Sequence, residues 1–138
     1  MRRTAPLAIA AGGMIGATCR WGVLEMWDLG GGFAWPLFVI NVVGSFVVGV
    51  ALAEESLHPS WEWWVRDGVG IGFCGGLTTF STFALEGAEL LREDRPALAA
   101  MHVGASVVLA IAATVAGAAT RRRVGALRLP LEGPDGGR

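Results

Sequence analysis

The chain is poor in charge, and the scarcity is uneven. Only 17% of its 138 residues are charged, against 53% hydrophobic, and the mean hydropathy is +0.52. Four stretches, residues 4–19, 29–53, 68–85 and 96–120, contain no carboxylate and no arginine. A helix needs about 20 apolar residues, range about 17 to 25, to cross the hydrocarbon core of a bilayer. The pattern predicts an all-α integral membrane protein with four transmembrane helices. A net charge of −1 offers no ground for a nucleic-acid partner.

Cysteine is scarce too, with Cys19 and Cys74 the only two. Both fall inside expected spans, and neither belongs to a CxxC or Cys/His pattern, so they read as small buried apolar residues. Also missing are a nucleophile paired with a base, metal-ligand spacing, and a phosphate-cradling loop ahead of a helix. Nothing points to an enzyme. Arg2-Arg3 and the apolar run after them resemble a signal peptide. Yet Gly12, Gly13 and Gly16 stud that run, Arg20 ends it, and three further spans follow. The run is therefore read as a first helix, with the arginine pair as a topological anchor.

The spans are expected near residues 6–26, 34–53, 64–92 and 97–120, which make residues 1–120 one membrane domain. Pro6 suits an early helical turn, and Gly12 and Gly16, four apart, let a second helix come close. Asp28 to Phe33 is a glycine-rich turn leading to Trp35-Pro36, and Glu54 to Ser60 is a short polar loop holding an exposed His58. Trp61, Trp63 and Trp64 mark one membrane face, Trp27 and Trp35 the other. Gly68, Gly72 and Gly76 form a second close-packing stripe, and Arg92 to Pro96 is a tight loop. Residues 121–138, rich in Arg and then in Gly and Pro, are expected to be a disordered tail. Arg2, Arg3, Arg66 and the five arginines from Arg121 to Arg138 belong on one side, with Arg92 and Arg95 on the other. That bias puts both termini in the cytoplasm.

One segment carries chemistry. Gly72 to Phe83, GFCGGLTTFSTF, mixes glycines and hydroxyls into a run otherwise apolar enough to cross lipid. The helix should break around residues 74–79, mid-membrane, and irregular backbone there is tolerated only if it is buried in protein or lines a wet path. Phe80 and Phe83 share one face of the resumed helix. They are either packing residues or, interleaved with Thr78, Thr79, Ser81 and Thr82, part of a route for a small anion that meets ring edges and hydroxyl donors. Carbonyls at Gly75 and Thr78 would suit a hard cation if the backbone unwinds; the alternative is a plain glycine kink. Asn41, mid-way along the second span, must find partners in a neighbouring helix or in such a route. Arg20 and Glu86 either snorkel to the interface or act within the membrane. His102 and Ser106, four apart on the last span, can extend a polar face.

Three blocks, GGMIGATCRW, FVINVVGSFVVG and GFCGGLTTFSTF, resemble the Fluc (CrcB) fluoride channels, the third nearly letter for letter. The resemblance implies an antiparallel, dual-topology dimer with two pores between subunits. It implies a fluoride path at Asn41, Phe80 and Phe83, with Ser81 and Thr82 in its polar lining and Arg20 near a vestibule. It further implies a structural Na⁺ at the dimer centre, held by the Gly75 and Thr78 carbonyls of each subunit. This sequence departs in lacking the tyrosine family members often carry on the fourth helix; His102 takes that place. The arginine bias also departs from dual topology, so the second subunit is either a like copy or an oppositely oriented homologue. The implied function is passive export of cytoplasmic fluoride across a bacterial-type inner membrane, relieving toxicity. The competing readings are a small drug/proton antiporter, which would want an acid deep in its first helix, and a non-transporting membrane subunit.

Overall fold

The computed structural model describes residues 4–27, 33–53 and 62–128. Most of the turn before Trp35, the polar loop with His58, Trp61, the Arg2-Arg3 pair and residues 129–138 lie outside them. Every regular element among the described residues is a helix. Helix α1 is Ala5–Met26 and α2 is Trp35–Leu52; each has a proline in its first two positions, where the missing N–H costs no intrahelical bond. A third segment is built in pieces: α3 (Glu62–Trp64), a π-helical stretch (Val65–Phe73) and α4 (Cys74–Leu77). Helix α5 (Phe80–Arg92) follows, then α6 (Pro96–Arg128). Four segments, Ala5–Met26, Trp35–Leu52, Val65–Arg92 and Pro96–Val124, are long and apolar enough to cross a membrane.

Two differences from the sequence expectation stand out. The last helix does not stop at Thr120 but continues through the arginine cluster to Arg128; arginine is a good helix former, so the change from apolar to charged residues ends the span without ending the helix. The π-helical stretch had no warning in the residue pattern. Widened turns of this kind are rare and gather at functional sites, and this one leads straight into α4.

Close backbone contact explains the packing. α1 lies against the π-helical stretch and α4, while α2 lies against α6. A Cβ placed on Gly16 would run into the Phe73 carbonyl, and one on Gly76 into the Gly13 carbonyl. Only glycine lets these two segments meet backbone to backbone, where dispersion contacts supply the attraction that lipid cannot. On the other side of the molecule, Thr114 Oγ1 donates across to the Ser45 carbonyl at 3.2 Å and back to the Ala110 carbonyl at 2.9 Å, tying α6 to α2.

The turn between α5 and α6 is tight, as its sequence suggested. Asp94 takes a positive φ of 55°, its N–H donates to the Leu91 carbonyl, and Arg95 N–H donates to the Leu90 carbonyl. This is a Schellman closure with aspartate in the place usually held by glycine. Pro96 then starts α6 at once.

The Gly16 contact can be tested against a neighbour that lacks it. Gly16→Val should cost more than the ~1–3 kcal/mol of ordinary overpacking, because backbone cannot swing aside. The variant is expected to lose its monodisperse peak in size-exclusion chromatography in detergent. Gly22→Ala, where nothing lies within 4 Å of the new methyl, is expected to keep that peak.

Candidate functional site

Helical geometry stops at Leu77 and resumes at Phe80, because Thr78 (φ −80°, ψ 154°) and Thr79 (φ −148°, ψ 128°) are extended. The donors there all find acceptors. Thr78 N–H and Thr78 Oγ1 both donate to the Cys74 carbonyl, each at 2.8 Å. Thr79 N–H turns away from its own helix and donates to Asn41 Oδ1 on α2 at 3.1 Å, while Asn41 Nδ2 donates to the Thr79 carbonyl at 3.4 Å. Thr79 Oγ1 accepts from Thr82 N–H at 3.3 Å, which makes Thr79 the N-cap of α5, a role threonine favours. The same hydroxyl lies 3.1 Å from Ser81 Oγ and 3.3 Å from Thr82 Oγ1.

Two carbonyls are freed by this rearrangement. In an unbroken helix Thr79 N–H would bond to the Gly75 carbonyl, and Thr82 N–H to the Thr78 carbonyl. Here those donors go to Asn41 and to the Thr79 hydroxyl. The Thr78 carbonyl instead accepts from Arg20 Nη1 at 3.2 Å, so the arginine late in α1 reaches the extended pair. A carbonyl oxygen has two lone pairs, and this leaves one of them open.

Beside the extended pair lies a cavity of about 220 Å³, lined by Asn41, Thr78, Thr79, Phe80, Phe83 and Ser106. Val107 and Ala110 complete its wall from α6. No charged side chain lines it. The Phe80 and Phe83 rings have centroids 5.7 Å apart at 45°, and Phe80 remains 79% exposed. Ser106 is buried, and its hydroxyl has no hydrogen-bond partner.

Six of the residues singled out from sequence therefore meet around one space: Asn41, Thr78, Thr79, Phe80, Phe83 and Ser106. Ser81 and Thr82 stand one layer back, hydrogen-bonded to the Thr79 hydroxyl. Gly75 and Arg20 flank the extended pair without lining the cavity. His102 is displaced from the place a polar lining would give it. It is fully buried, stacked on Phe83 at 5.2 Å and 28°, and edge-on to Phe33 at 5.3 Å. Neither ring nitrogen has a hydrogen bond of ordinary geometry, although the Phe83 backbone lies close enough to interact. It serves as a backing plate to Phe83.

Residues 7–118 match the family described as "CrcB-like protein, Camphor Resistance (CrcB)". The chain belongs to the CrcB family. Among similar proteins is a fluoride-specific ion channel FluC of Bordetella bronchiseptica, 42% identical over 84% of this chain and 90% of its own. The fluoride-specific ion channel FluC of Caulobacter vibrioides is 42% identical over 86% of this chain and 95% of its own. That of Methanopyrus kandleri is 41% identical over 81% and 85%.

Sequence reasoning missed the bond from Arg20 to Thr78. Its signal was an arginine inside an apolar helix, whose backbone partner no spacing rule could name. A test follows from His102. His102→Phe keeps a flat ring and removes two nitrogens without good partners, and a buried unsatisfied polar atom costs about 1–3 kcal/mol. The variant is expected to unfold at a higher temperature. A midpoint lowered by several degrees would show that the imidazole has a polar role in this slot.

Proposed function

We propose that this protein is a fluoride-selective channel through which cytoplasmic fluoride leaves the cell passively, lowering its toxicity. The observation that carries this reading is a single cavity where an amide, hydroxyls and two phenylalanine rings converge and no charged side chain is in the lining. Membership of the CrcB family and relatives named as fluoride-specific ion channels support it. Fluoride holds its water tightly, so a selective path must offer close donors in exchange. Asn41 and the hydroxyls of Ser106 and Thr79 can donate, and the positive edges of the Phe80 and Phe83 rings add to them. Ser81 and Thr82 support that lining from behind. A fixed cation in the cavity would hold the ion too long, whereas neutral donors let it move on. A potential of about 100 mV, negative inside, drives each anion outward by roughly 2.3 kcal/mol.

The reading includes a second subunit, antiparallel to the first, in a bacterial-type inner membrane, with residues 1–120 as the channel domain. The extended pair at Thr78 and Thr79 then lies mid-membrane. What supports a partner is the incompleteness of the single chain. Phe80 stands 79% exposed at the cavity, and α6 also exposes Val107, Val108, Ile111 and Val115. The strong arginine bias favours an oppositely oriented homologue as that partner over a like copy.

A structural Na⁺ belongs to the same reading. Among the described residues no three His, Cys, Asp or Glu side chains gather to hold a metal, so the hard donors on offer are carbonyls. Gly75 and Thr78, one helical turn apart, are the two whose usual N–H partners have been diverted, which fits an oxygen-seeking cation. Bound between subunits, the ion would supply positive charge that holds four carbonyls together. Arg20, on Thr78, orients one of them from the α1 side.

Liposomes carrying purified protein are expected to release fluoride without a proton gradient. Phe80→Ile or Phe83→Ile should abolish that release while assembly stays intact; full flux in both variants would remove the rings from the mechanism. Replacing Na⁺ by a large organic cation on both sides should abolish flux and lower the thermal midpoint. An unchanged midpoint would count against a sodium-bridged dimer.

A further inference from the structure

Asn41 has a second task that the ion path alone would not demand. Its amide holds both backbone groups of one residue, accepting from Thr79 N–H at 3.1 Å and donating to the Thr79 carbonyl at 3.4 Å. We propose that Asn41 is a positioning residue whose two-point clamp on Thr79 keeps the chain extended there, frees the Gly75 and Thr78 carbonyls, and fixes which end of the amide the cavity meets. This deepens the reading above and rests on it for what those carbonyls and that cavity do.

The argument begins with the donor. Thr79 N–H would close on the Gly75 carbonyl if α4 continued, and Asn41 Oδ1 competes for it from a different helix. Once Thr79 is extended, its own hydroxyl is placed to cap Thr82 N–H, and this in turn releases the Thr78 carbonyl to Arg20. One side-chain oxygen thus triggers the release of two backbone oxygens. Without it, the local bonds favour a continuous helix through Thr78 and Thr79, with both carbonyls consumed.

The second consequence concerns sign. An asparagine amide can present oxygen or nitrogen, and for an isolated side chain the two differ little in shape. Here the oxygen is committed to an N–H and one amino hydrogen to a C=O, so rotation would set donor against donor and acceptor against acceptor. One N–H remains uncommitted on a residue that lines the cavity. The cavity therefore meets a free N–H donor at Asn41, beside an oxygen already engaged by Thr79 N–H. That orientation favours anions over cations before size is considered, and it requires no charged group.

The test reads the clamp separately from transport. In the full-length chain in lipid nanodiscs, with threonine nitrogen-labelled, solvent exchange at Thr79 N–H is measured by NMR in wild type, Asn41→Ala and Asn41→Asp. Loss of the bond in Asn41→Ala should speed exchange at Thr79 by roughly fivefold, the equivalent of about 1 kcal/mol for one hydrogen bond. Asn41→Asp keeps an acceptor for Thr79 N–H but loses every donor, so it should retain slow exchange and yet conduct no fluoride. Asn41→Ser, too short to span to Thr79, stands in for the alanine variant if that one does not fold. Exchange as slow in Asn41→Ala as in wild type overturns the proposal, as does an aspartate variant that exchanges like alanine or conducts like wild type. If wild-type protein in liposomes releases no fluoride while Thr79 protection depends on Asn41, the channel reading fails and the clamp stands.

Discussion

A peptide N–H that leaves its helix must find another acceptor, and this constraint governs the stretch from Cys74 to Thr82. Every polar group the extended pair releases must be met by protein or by something the protein binds. The Thr79 N–H is met by Asn41, the Thr82 N–H by the Thr79 hydroxyl, and the Thr78 carbonyl by Arg20. Three different helices contribute to that accounting. Threonine is suited to the centre of it because its side chain can cap a helix start while its backbone stays extended. What this accounting leaves over is the Gly75 carbonyl, whose usual donor has gone to Asn41, and the Ser106 hydroxyl.

Such an arrangement needs a stiff frame, and backbone-to-backbone contact provides one. α1 can hold Arg20 against Thr78 only if it lies close along the π-helical stretch and α4, and Gly16 and Gly76 are what allow it. On the opposite side, α2 carries Asn41 and is tied to α6 through Thr114. The two helices that reach the extended pair from either side are thus each anchored elsewhere along their length. Thr78 and Thr79 are held between them.

Much of this was legible from residue order alone, for physical reasons that differ by element. The four spans were visible because lipid excludes charge, and arginines and carboxylates mark their ends. The gathering of Asn41, Phe80, Phe83 and Ser106 was anticipated partly from composition and partly from likeness to a known family. Cross-helix pairing was harder to see. That Asn41 would face Thr79, and Arg20 the Thr78 carbonyl, depends on the rotation of α1 and α2, which hydropathy does not encode when all faces are apolar. Ser106 and His102 share one face of α6 one turn apart, and that axial step puts the first in the cavity lining and the second behind Phe83. The extension of α6 to Arg128 is hidden in the pattern because hydrophobicity ends at Arg121 while helix propensity persists.

The reversal at Asp94 has a wider consequence. Its backbone bonds leave no slack between α5 and α6, so the axial offset of one against the other is set by chain connectivity and not by lipid thickness. Phe83 and His102, placed on either side of that hairpin, owe the register of their stacking to this closure. A register that comes from a covalent bend is set within the chain itself, before any neighbouring lipid or subunit acts on it.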